Sequence, residues 1–170
     1  MQRKGEFWEW IRSIVVAVIL AVLIRIFIIE IFLVEGNSMY PTLKDNERLV
    51  VNKFIYRLQE PERNDIVVFR YSPNRDFIKR VVALEGDKFE IRQGNIYVND
   101  NIVEESGHFD NGLEDYGPVV VPSGHIFVLG DNRANSMDSR DSSVGFVDVR
   151  EIKGKAFFVF WPLSEFRFLS

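Results

Sequence analysis

Asp65-Ile66-Val67-Val68-Phe69-Arg70-Tyr71 and, beyond Pro73 and Asn74, Phe77-Ile78-Lys79-Arg80-Val81-Val82-Ala83-Leu84 are the stretches whose reading decides the fold. Both are short, rich in β-branched and aromatic residues and bounded by turn formers, as buried strands are. After residue 45 the same pattern recurs at Arg48–Lys53, Lys88–Arg92, Asn95–Val98, Ile102–Glu104, Val119–Val121, Ile126–Leu129 and Lys155–Trp161. Asn99-Asp100-Asn101, between two of these runs, predicts a hairpin turn. The polar stretch Ser106–Pro118 reads as a surface loop. Repeats and long helical periodicity are missing from this part, so residues 35–170 are predicted to form a mainly β domain.

The chain before it follows another pattern. Ser13–Ile24 (SIVVAVILAVLI) carries no charge, and apolar character resumes at Ile26–Ile29 and Ile31–Val34, interrupted by Arg25 and Glu30. A membrane-spanning helix needs about 20 residues, and Trp10 to Glu30 supplies them. Trp8 and Trp10 suit one interface, and Arg25 can snorkel toward the other. Arg3, Lys4 and Arg12 precede the apolar run, which places the N-terminus in the cytoplasm and the β domain outside. Glu35-Gly36-Asn37-Ser38 is a poor small-x-small cleavage site, so residues 1–34 are expected to be an uncleaved anchor with a single span.

Composition narrows the chemistry. The 170 residues suffice for one compact domain and a short accessory segment. Lys and Arg number 21 against 25 Asp and Glu, and the net charge of -4 argues against a nucleic-acid partner. Without cysteine there is no disulfide, thiolate zinc site or thiol nucleophile. His108 and His125 are the two imidazoles, too few for a multi-histidine metal centre, so neither metal nor cofactor is expected. Hydroxyls, carboxylates, lysines and arginines must carry any reaction.

Three segments offer such groups. Ser38 follows a Gly/Asn turn and precedes the proline-stiffened Met39-Tyr40-Pro41-Thr42-Leu43, where a hydroxyl can be presented as a nucleophile or can merely cap a turn. On a strand, Lys79 shares a face with Phe77, Val81 and Ala83. Desolvation there can lower a lysine from about 10.4 to about 8, making it a base for a serine, although such lysines also snorkel to solvent. Gly130-Asp131-Asn132-Arg133-Ala134-Asn135-Ser136-Met137-Asp138-Ser139-Arg140 concentrates hydroxyls and ion-pair partners after an apolar strand. It is either a brace for such a site or a solvated turn cluster.

Taken together and in this order after an N-terminal anchor, Ser38–Leu43, Asn64–Phe69, Lys79-Arg80-Val81 and Gly130–Arg133 with Ser136, Asp138, Ser139 and Arg140 resemble the bacterial type I signal peptidases. The resemblance implies a membrane-bound Ser/Lys endopeptidase that removes signal peptides from exported preproteins after small-x-small sites. It makes Ser38 the nucleophile and Lys79 the general base, with Ser136 orienting the lysine. Arg80 with Asp131, and Asp138 with Arg140, become supporting ion pairs. The Ser38 N–H is one oxyanion donor, and Gly36 stands where part of the family has a second, hydroxyl donor. Phe32, Val34, Leu49, Val68 and Ile78 match positions lining shallow pockets for small side chains. Only about thirty residues lie between Gly86 and Pro118, so the accessory region is expected to be a hairpin and loop, as in compact Gram-positive forms. Met39, Tyr40, Phe158, Phe160, Trp161, Phe166 and Phe168 are expected to rest on the lipid bilayer.

Two other functions fit parts of the pattern. A self-cleaving Ser/Lys repressor would need a DNA-binding domain where the apolar run stands. A membrane-tethered β module would use the Asp131–Arg140 loop to bind partners without catalysis.

Overall fold

The computed structural model describes residues 3–103 and 113–169. Helix α1 (Arg3–Phe27) leads into twelve strands, β1 (Ile29–Leu33), β2 (Arg48–Asn52), β3 (Ile66–Ser72), β4 (Arg75–Ala83), β5 (Lys88–Arg92), β6 (Asn95–Val98), β7 (Asn101–Ile102), β8 (Tyr116–Val120), β9 (His125–Leu129), β10 (Val147–Asp148), β11 (Ile152–Trp161) and β12 (Arg167–Phe168). They form a large sheet in the order β1-β2-β11-β3-β4-β9-β10, with β12 also on β11, and a four-stranded sheet β7-β6-β5-β8. The mainly β class and the strand runs read from the sequence agree with this architecture.

The N-terminal boundary differs. The helix ends at Phe27, short of the expected Glu30, and Ile29–Leu33 pairs antiparallel with β2, from Ile29 opposite Asn52 to Leu33 opposite Arg48. The Lys53 N–H donates to the Ile28 carbonyl at 2.8 Å, so the sheet begins one residue past the helix. An apolar, β-branched run such as Ile28-Ile29-Glu30-Ile31 satisfies either conformation, and pairing with β2 decides it. Among the described residues no helix is long and apolar enough to cross a membrane. Glu9, Arg12 and Arg25 leave Ser13–Ile24 as the uncharged run, about 18 Å of helical rise.

The β3 residues Ile66–Phe69 are all buried because both faces of this strand are covered. Ile66 and Val68 pack with Val34, Met39, Leu43, Leu49, Val51, Ala156 and Val159 on one side. Val67 and Phe69 pack with Phe77, Val81, Ile126, Val128 and Val147 on the other. Lys79 lies on the face of Phe77 and Val81, as the alternation requires. Ala83 does not: a register shift against β9 between Val81 and Ala83 moves it into a third cluster with Phe89, Phe127 and Leu129.

The accessory region is more than a hairpin and loop. Asn99 and Asp100, both with positive φ (53° and 65°), make the predicted tight turn between β6 and β7. Tyr116–Val120, expected as the end of a loop and the run after it, is one strand paired with β5. Tyr116 packs against Phe89 and Phe127 with ring centroids 6.2 and 5.6 Å away, and this burial overrides the polar neighbourhood. Gly117 permits the irregular pairing: its φ is +83°, and a Cβ would lie 2.9 Å from the Phe89 carbonyl oxygen. Glu104, His108 and most of the Ser106–Pro118 stretch lie outside the described residues.

Candidate active site

The chain leaving β1 turns through residues 35–43 and is pinned at both ends. Met39 and Leu43 are buried in the core under β2 and β3, contrary to the expected placing of Met39 on a membrane-facing surface. Gly36 adopts a φ of 85°, and its N–H donates to Asp45 Oδ1 at 2.7 Å. That amide is therefore engaged and does not replace the family's second oxyanion donor.

Ser38 sits half-buried on this turn, and Lys79 Nζ reaches its Oγ at 2.7 Å. A second bond from Lys79 Nζ goes to the Ile78 carbonyl at 3.1 Å. The lysine is only 3% exposed, so it does not snorkel to solvent. Burial lowers its pKa from 10.5 to about 8; Asp138 and Asp131 pull it up, and Arg75 pushes it further down. The Phe77 ring, 5.1 Å from Nζ, covers one side of the ammonium. An amine so placed is able to lose its proton near neutral pH and still touch the hydroxyl that it would activate.

The loop after β9 braces this pair. Arg80 and Asp131 form a buried bidentate ion pair, Nε to Oδ1 at 2.9 Å and Nη2 to Oδ2 at 2.8 Å. Asp138 and Arg140 form a second, at 2.8 and 2.9 Å, and Asp138 Oδ2 also accepts from the Gly130 N–H at 3.0 Å. Arg140 Nη2 donates to the Arg133 carbonyl at 2.7 Å, closing the loop on itself. The stretch is not a solvated cluster, since Asp131, Arg133, Asp138 and Ser139 are all buried. Ser139, one of its members, accepts the Val128 N–H at 3.0 Å.

Two residues quoted in that stretch take on a role that the sequence did not disclose. The Asn132 backbone N–H donates to the Ser38 carbonyl at 3.0 Å, and its side-chain Nδ2 donates to the Asn37 carbonyl at 3.0 Å. Gly130 lets these backbones meet, because a Cβ there would lie 2.5 Å from the Ser38 carbonyl oxygen and 2.1 Å from Ser136 Oγ. Gly130→Ala is expected to destabilise the protein by about 1–3 kcal/mol through overpacking and to lower cleavage by about 10² through displacement of Ser38. Thermal unfolding and kcat/KM measured side by side check both effects.

Ser136 lies beside Gly130, and its hydroxyl is buried without a hydrogen-bond partner among the described residues. The expected bond to Lys79 is not among those that the lysine makes. His125 lies away from this site at the start of β9, with Nδ1 2.8 Å from the Ser123 carbonyl oxygen.

A cleft of about 490 Å³ opens at Ser38 and Lys79. Phe32, Val34 and Ile78 line it. Leu49 and Val68 do not reach it: both are fully buried in the cluster beneath Val34, where they support the cleft floor. Opposite β3, β4 pairs with β9 only from Arg80 onward, so Asp76–Lys79 faces the cleft with an edge that has no strand partner among the described residues.

The β framework, the extended cleft and the paired hydroxyl and amine are those of a serine endopeptidase. A family model described as "Signal peptidase, peptidase S26" matches residues 7–161. The chain belongs to this family. It is 41% identical over 177 residues to a signal peptidase I of Bacillus amyloliquefaciens, covering 98% of this chain and 91% of that one. It is 40% identical over 178 residues to signal peptidase I S of Bacillus subtilis strain 168, covering 98% and 96%. A crystal structure of a signal peptidase I from Enterococcus faecalis V583 superposes with a TM-score of 0.50 at 30% identity, covering 57% of this chain and 97% of that one.

Proposed function

We propose that Ser38 and Lys79 are the dyad with which this enzyme removes signal peptides from preproteins. The observation that carries the reading is the 2.7 Å contact between a buried, desolvated lysine and a serine hydroxyl at the mouth of a cleft. Neutral Lys79 accepts the Ser38 proton along that contact while Oγ attacks the scissile carbonyl. The resulting ammonium then protonates the departing amine. Water, deprotonated by the same lysine, hydrolyses the acyl-enzyme. The preprotein adds as a strand to the Asp76–Lys79 edge, and Phe32, Val34 and Ile78 restrict the pocket to small side chains. The Ser38 N–H serves as an oxyanion donor.

Ser136 completes the lysine's environment. An ammonium has three donors, and Lys79 uses two of them on Ser38 and Ile78. The Ser136 hydroxyl is buried without a partner among the described residues, and a bond to the third Lys79 donor would satisfy both groups, which supports Ser136 as the orienting residue. The Arg80–Asp131 and Asp138–Arg140 pairs hold the frame and take no part in proton transfer.

The same reading attaches the enzyme to the cell membrane, with α1 as a single anchor. Ser13–Ile24 lies in the acyl region, and Arg12 and Arg25 snorkel to opposite faces. The N-terminus is cytoplasmic and the β domain extracytoplasmic. Exposed Phe157, Trp161, Leu163, Phe166 and Phe168, with Ile31 and Leu33 on β1, form an apolar surface that rests in the bilayer interface. Tyr40 is exposed as well, whereas Phe158 and Phe160 are half-buried beneath the rim.

The pH dependence tests the dyad. With the lysine titrating at about 8 and active as the neutral amine, kcat/KM rises with pH through that value. At pH 6 it is expected to be about 100-fold below the alkaline plateau. A rate unchanged between pH 6 and 9 would contradict a lysine base.

A further inference from the structure

A concentration of positive charge that the proteolytic reading does not use lies where α1 joins the β domain. A pocket of about 360 Å³ is walled by Phe27, the last residue of α1, and by Lys53, Arg57, Arg150 and Lys153. Among the described residues no carboxylate lines it. Three of the cations are paired with carboxylates that do not line the pocket: Lys53 with Glu30 at 3.5 Å, Lys153 with Asp76 of the Ser38 cleft at 2.7 Å, and Arg150 with Asp148 at 2.5 Å. Arg57 makes no ion pair among the described residues. Its guanidinium packs 6.0 Å from the Phe54 ring centroid. The neighbouring Leu58 is 75% exposed, and Phe54 is exposed too. A charged group without a counter-ion between exposed apolar side chains suits a boundary where acyl chains give way to phosphates.

We propose that this pocket binds the phosphate of an anionic phospholipid headgroup, with Arg57 and Lys53 as its principal contacts. The proposal rests on the anchor reading, which brings Phe27 to headgroup depth. The Lys53 N–H bond to Ile28 ties the pocket rigidly to the end of the helix. A lipid is favoured over a soluble anion because Phe27, Phe54 and Leu58 offer the acyl chains a surface beside the cations. Occupancy would fix the β domain's orientation against the bilayer and thereby the height of the cleft above it.

The test uses the full chain in a neutral detergent, offered equal amounts of phosphatidylglycerol and phosphatidylcholine, with retained lipid counted by native mass spectrometry. Wild type is expected to retain phosphatidylglycerol preferentially. Each lost charge should cost about five-fold in that preference, so Lys53→Gln with Arg57→Gln lowers it by about 25-fold. Arg57→Lys should keep most of it. Thermal unfolding confirms that each variant is folded, and Arg57→Gln alone serves if the double variant is not. Equal retention of both lipids by wild type, or an unchanged preference in the charge-loss variants, would overturn the proposal. Complete displacement of phosphatidylglycerol by millimolar inorganic phosphate would assign the pocket to soluble anions and overturn it as well. Lipid selectivity in detergent does not require α1 to cross a bilayer. Failure of the anchor reading is seen separately, as release of the chain from vesicles by alkaline carbonate.

Discussion

Lys79→Arg is expected to lower kcat/KM by about 10²–10⁴-fold, the range for loss of a general base, although the positive charge is kept. The 2.7 Å contact with Ser38 Oγ is useful only if the group can arrive there without its proton. Burial brings the lysine to about 8, within reach of neutral pH. A guanidinium stays protonated above pH 12, so the arginine variant should show no recovery at pH 10. Its planar head is also larger than an ammonium and has to fit against Phe77. Rates at pH 8 and 10, with thermal unfolding to show an intact domain, decide the matter. A folded Lys79→Arg enzyme within ten-fold of wild type would remove Lys79 from the base role.

Asp131→Ala should produce a large loss of stability, about 3–5 kcal/mol, because it breaks a buried, bidentate ion pair by removing one partner. The side chains of the pair are 5% and 0% exposed, and both carboxylate oxygens are engaged. Arg80 stands opposite Ile66 on β3 and Leu129 on β9, so the pair locks three strands to the loop that holds Ser38. For a chain of this size the loss corresponds to a fall in Tm of roughly 6–20 °C. Replacing both partners with apolar residues of similar volume, Arg80→Met with Asp131→Leu, should recover much of it. A fall below 2 °C for Asp131→Ala would mean that water reaches the guanidinium.

The sequence disclosed the parts of this molecule that depend on local pattern. Strands β5 and β6 carry bounded β-branched and aromatic runs and lie where those runs were read. Alternation along β4 put Lys79 on an apolar face, and the resemblance gave that placement its meaning. What stayed hidden depends on distant partners. Ile29–Leu33 has the composition of a continuing helix, and pairing with β2 makes it a strand. Leu49 and Val68 matched lining positions but lie beneath the cleft, a difference of depth that a sequence does not carry. Gly130 and Asn132 matter because the Ser38 turn comes to rest against them. The signal for Gly130 was present only as a glycine at the end of a buried strand, where a close backbone approach is one of several uses.

The most direct test of the dyad is cleavage of a signal-peptide-bearing preprotein by the full chain in detergent or liposomes, comparing wild type with Ser38→Ala and Lys79→Ala. Cleavage after the small-x-small site is expected from wild type alone, with both variants folded and inert. Cleavage at that site by either folded variant would contradict the dyad, because the nucleophile or the base would then lie elsewhere.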